Sequence, residues 1–95
     1  MDIDTKHAIH DKADELNLMW KHLREMAKQL AEQSEIIRCI AESFAETNDR
    51  TILGGLYREL ANAMIQYRKM YGDMACSMVS LKGLEIDYRS LVGAE

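Results

Sequence analysis

Residues 9–44 read IHDKADELNLMWKHLREMAKQLAEQSEIIRCIAESF, and the spacing of their apolar and small side chains decides the fold. Ile9, Ala13, Leu16, Trp20, Leu23, Ala27, Leu30, Ser34, Ile37, Ala41 and Phe44 follow one another at steps of four and three without a miss. A helix turns once in about 3.6 residues, so this alternation places all of them on one seam and predicts a single long helix. Met19, Met26 and Ile40 form a flanking column at heptad spacing, which widens the seam to three apolar columns.

The second half of the chain repeats the design. Leu53, Tyr57, Leu60, Met64, Tyr67, Tyr71, Met74, Met78, Leu81, Glu85, Tyr88 and Val92 again step by four and three, with a charge only at Glu85. Leu56, Ala63, Met70, Leu84 and Leu91 supply the flanking column. Between the two periodic stretches lies Ala45-Glu46-Thr47-Asn48-Asp49-Arg50-Thr51, the one interior cluster of turn-forming and capping residues. The expected fold class is therefore all-α: a single domain over residues 1–95, with a helix over about 5–46, a turn over about 47–51 and a helix over about 52–92. A short connection makes such helices antiparallel neighbours, each about 60 Å long at about 1.5 Å per residue. Asp4 or Thr5 is expected to cap the first helix and Asp49 or Thr51 the second. Gly54-Gly55 weakens the first turns of the second helix.

Two helices packed only on each other cover two columns apiece, not three. The second helix also carries a strip of Ala61, Ile65, Gly72, Ala75, Val79 and Ile86, whereas the first keeps a charged back that includes Asp11, Lys21, Glu25, Glu32 and Glu42. This asymmetry predicts a homodimeric four-helix bundle in which the second helices meet across the two-fold axis through that strip.

The 95 residues carry 16 acids against 12 bases, a formal charge of −4, which leaves no electrostatic footprint for nucleic acid or an anionic membrane. The opening Met1-Asp2-Ile3-Asp4 has neither the basic nor the apolar region of a secretory signal, and no apolar run reaches the roughly 18 residues of a membrane span. A cytoplasmic location is expected. Cys39 and Cys76 lack zinc-type spacing, and the antiparallel register separates them by about 27 Å along the helices, so no intramolecular disulfide is expected.

Candidate chemistry is thin. His7, His10, Asp11 and Asp14 lie at helical spacing on the first helix, but such a set more often forms a solvated face than a metal site. No histidine follows Leu53, which removes the Glu-x-x-His pairs of di-iron bundles. Neither thiol has a histidine at helical spacing, and no arginine enters the seams to hold an anionic substrate. The expectation is a non-enzyme without metal or cofactor. It self-associates and binds a larger protein as a small inhibitor, adaptor or assembly factor. Small acidic helical chains of this kind are associated with phage-encoded and accessory bacterial regulators, which is an association and not a derivation. The alternative is a binder of a small anionic, nucleotide-like ligand built from Lys21, Arg24, Lys28, Tyr67, Arg68 and Tyr71 through charge and ring stacking.

The two charges that interrupt the apolar columns, Lys12 and Glu85, fall opposite each other in the antiparallel register and are expected to pair, with Asp87 or Tyr88 close by.

Overall fold

The computed structural model describes residues 2–93. They form two α-helices, α1 (Ile3–Glu46) and α2 (Arg50–Gly93), packed against each other as a hairpin. Only Thr47, Asn48 and Asp49 lie between them, so the connection is shorter than the expected turn. Among the described residues the backbone has no cis peptide and no positive φ. The tertiary contacts divide into two compact units: the described parts of Met1–Glu25 and Met74–Glu95 form the first, and Met26–Asp73 the second. Each unit holds a piece of both helices.

Both helices start at aspartates. Asp2, rather than Asp4 or Thr5, caps α1: its Oδ1 accepts the Thr5 backbone N–H at 2.7 Å, while Lys6 N–H reaches the Asp2 carbonyl at 3.2 Å. The helix thus begins ahead of the expected start, and Asp4 falls inside the first turn, where a negative charge favours the helix dipole. At α2 the Asp49 carboxylate accepts from Thr51 N–H at 2.9 Å and Ile52 N–H at 3.4 Å, satisfying two otherwise orphan donors.

The seam between the helices differs from the expected one by the choice of column. In α1 the covered seam positions are Ile9, Lys12, Leu16, Met19, Leu23, Met26, Leu30, Gln33, Ile37 and Ile40, with Thr5, Ala8 and Ala13 half-buried toward the N-terminus. In α2 they are Leu53, Leu56, Leu60, Ala63, Tyr67, Met70, Met74, Ser77, Leu81, Leu84, Tyr88 and Leu91, with Ala61 and Glu85 half-buried beside them. One column of each expected seam is kept, and the flanking column replaces the other. Trp20, Ala27, Ser34 and Ala41 on α1, with Tyr57, Met64, Tyr71, Met78 and Val92 on α2, are left exposed.

The areas involved account for this choice. Met19, Met26 and Ile40 offer more apolar surface than Ala27, Ser34 and Ala41, so burying the former gains more at about 25 cal/mol per Å². On α2, Leu56, Met70, Leu84 and Leu91 bury no polar atom, whereas Tyr57 and Tyr71 would carry two further hydroxyls inside. Gln33 occupies the covered column of α1 and is satisfied there, since its Nε2 donates to the Ala63 carbonyl at 3.1 Å. That bond ties α1 to α2 within the second unit.

The Lys12–Glu85 pair is replaced by another. Lys12 Nζ lies 3.4 Å from Glu15 Oε2 and 3.9 Å from Asp87 Oδ2. Lys12 stands in the covered Met19 column, whose side of the helix pair also carries Asp87, whereas Glu85 continues the exposed Met78 column on the other side of the seam. Glu85 itself is half-buried.

Candidate functional site

Among the described residues only Leu23, Ala63 and Leu81 are buried. The rest of the seam is half-covered, and the apolar columns outside it are open to solvent. These uncovered columns are the candidate site.

In the second unit, Tyr57, Met64 and Tyr71 rise along α2 at heptad spacing and are 64%, 43% and 58% exposed. The Tyr67 and Tyr71 rings stack, with centroids 6.5 Å apart and planes 21° apart, so Tyr71 leans on a seam residue and its ring is held in place. On α1 the matching column is Ala27, Ser34 and Ala41, all exposed and all small. Ser34, Ile37, Met64, Tyr67 and Arg68 line one open depression of about 240 Å³, which puts the two columns on the same side of the unit.

In the first unit, Asn17, Trp20, Lys21 and Arg24 line a depression of about 530 Å³, and Glu15, Leu18, Met19, His22 and Leu84 line one of about 380 Å³. Trp20, Met78, Val79, Ile86 and Val92 are exposed around that unit.

Of the strip expected to form the interface, Ile65, Gly72, Ala75, Val79 and Ile86 are exposed and Ala61 is half-buried. The expected ligand cluster is divided: Lys21 and Arg24 belong to the first unit, and Lys28, Tyr67, Arg68 and Tyr71 to the second. Lys21 comes together with Arg24 and Trp20, while Arg68 comes together with Tyr67.

The electrostatics are those of a solvated surface. Arg38 donates from Nε to Glu35 Oε2 at 3.0 Å, and its two terminal nitrogens donate to Glu35 and Glu42. The hydrogen bond from Arg38 holds the Glu35 carboxyl below the usual carboxylate range, and the guanidinium is held above its own range by the same partner. The Asp2 carboxyl is lowered too, chiefly by the Thr5 backbone N–H that it caps. His10 Nδ1 sits 3.5 Å from Asp14 Oδ2 on an exposed turn. No group of three or more His, Cys, Asp or Glu side chains converges on a common point among the described residues. Cys39 and Cys76 are exposed free thiols, and no described helix is long and apolar enough to cross a membrane.

Sequence reasoning missed Gln33 and the exposure of the Tyr57/Met64/Tyr71 column. The signal for the first was the gap at position 33 in the Met19/Met26/Ile40 column: a polar residue at a heptad position needs a partner. For the second it was the pair of tyrosine hydroxyls in a column otherwise offered for burial. Compared with known proteins, the chain matches no family model, no curated protein and no solved structure.

Proposed function

We propose that this chain is a non-enzymatic, homo-oligomeric helical protein that binds a larger protein partner, acting as a small cytoplasmic inhibitor, adaptor or assembly factor. The observation that carries the reading is the apolar surface left uncovered. Only Leu23, Ala63 and Leu81 are buried among the described residues, while Trp20, Tyr57, Met64, Ile65, Tyr71, Met78, Val79 and Ile86 are exposed. Tyr57, Met64, Tyr71 and Met78 recur at heptad spacing along α2, and large apolar side chains left exposed in this number mark interaction sites. Small folds without disulfides or metals commonly find their missing core in a second copy.

A homodimeric four-helix bundle is the simplest closed assembly of such hairpins. Sedimentation equilibrium at micromolar concentration tests it: a dimer or larger species supports the reading, and a well-folded monomer across the whole range removes it.

One observation favours a second reading, in which an anionic, nucleotide-like ligand is bound. Trp20 shares a depression with Lys21 and Arg24, an aromatic face beside two cations. A nucleotide bound there raises the melting temperature, by an amount that grows with the logarithm of its concentration over Kd, whereas a protein-binding module is indifferent to it.

A further inference from the structure

We infer that the first unit holds a nucleoside phosphate in the depression lined by Asn17, Trp20, Lys21 and Arg24, with the base on the Trp20 ring and the phosphate between Lys21 and Arg24. The site rests on the ligand-binding reading and deepens it: each half of the ligand has its own side chains, and Tyr67, Arg68 and Tyr71 take no part.

Spacing brings the four residues together. Asn17, Trp20, Lys21 and Arg24 stand at i, i+3, i+4 and i+7 of α1, so one helix face carries the ring and both cations. Their depression of about 530 Å³ falls within the roughly 300–1,000 Å³ of small-molecule sites. Trp20 is 47% exposed and stacks on no other ring among the described residues, which leaves its indole free for a base. Asn17 adds an amide that both donates and accepts, as the polar edge of a base requires.

Charge selects the other half of the ligand. His10, Lys12 and Arg38 each sit against a carboxylate, whereas neither Lys21 nor Arg24 is ion-paired among the described residues, although Glu25 stands at helical spacing from Lys21. Two neighbouring cations without an acid repel each other, and a phosphate between them removes that repulsion. The other depressions lack this combination. In the second unit the cation is Arg68 alone, and the Tyr67 ring beside it is half-buried and already stacked on Tyr71. Beside Leu18, Met19 and Leu84, His22 shares its depression with Glu15, an acid that repels phosphate.

Trp20 is the single tryptophan of the chain, so its fluorescence reports this site directly. The full chain is titrated with ADP, and with adenosine and inorganic phosphate as its separate halves; every base has a face to stack, so one nucleotide stands for the class. Saturable quenching by ADP below about 1 mM is expected, with each half at least about tenfold weaker. Lys21→Gln combined with Arg24→Gln is expected to weaken ADP about 100-fold, about tenfold for each charge-assisted contact, while Arg68→Gln stays within about twofold. All three positions are exposed, and circular dichroism checks that each variant keeps its helices. Should the double variant lose its helical signal, Arg24→Gln decides alone. Equilibrium dialysis measures ADP binding independently of the indole. ADP that binds in dialysis without quenching, or whose binding survives the double variant and is lost in Arg68→Gln, overturns this site while the ligand-binding reading stands. Phosphate that binds as tightly as ADP overturns the role of the ring and with it the proposed ligand. ADP that neither quenches nor binds at about 1 mM overturns both the site and the reading.

Discussion

Asp2, Asp49 and Gln33 show how much single polar groups contribute where little is buried. Asp49 serves two backbone donors at the start of α2, so Asp49→Ala is expected to cost about 1 kcal/mol in urea unfolding. Gln33 spans from α1 to α2, and Gln33→Ala is expected to cost a further 1 kcal/mol or so, measured in the same way. The carboxyls of Asp2 and Glu35 sit below their ordinary values in the folded chain, held there by the Thr5 N–H and by Arg38. A depressed carboxylate contributes stability above its unfolded value and loses it as pH falls through the folded one. Acid titration is therefore expected to lower stability below the ordinary carboxylate range. Arg38→Gln should return Glu35 toward its ordinary titration, read by NMR. A Glu35 that titrates identically in both proteins would show that the guanidinium does not set it.

The two helices were legible because a step of four and three persists through both halves of the chain. The turn near Asn48 and a cap at Asp49 or Thr51 followed from polar residues in the interior, whereas the start of α1 did not, since Asp2 caps it rather than Asp4 or Thr5. The pairing of columns was not legible, because three apolar columns per helix compete for two places and the result depends on areas and hydroxyls, not on spacing. The same misreading made Glu85 the partner of Lys12 and Asp87 only a neighbour, whereas Lys12 reaches Asp87. The exposed face that forms the candidate site was hidden for the same reason: its Tyr57, Met64 and Tyr71 looked like core. In α2, Gly55 lies within the helix with open space where a Cβ would stand. Gly55→Ala is expected to stabilise by about 1 kcal/mol, raising Tm by about 4–8 °C in a thermal scan of a chain this size. An unchanged or lowered Tm would mean that something other than helix propensity holds that turn.

At the scale of the whole molecule, one imbalance dominates: among the described residues three side chains are buried, against fourteen large apolar ones left exposed. If the chain self-associates as proposed, its stability should rise with concentration because association removes apolar surface from water. Thermal unfolding at increasing protein concentration is expected to show a rising Tm, while a concentration-independent Tm belongs to a monomer. Self-association is tested most directly by the mass in solution, read by light scattering at micromolar concentration. The expected mass is at least twice the 10.9 kDa of one chain. A single species of one chain's mass, fully helical by circular dichroism, would contradict it.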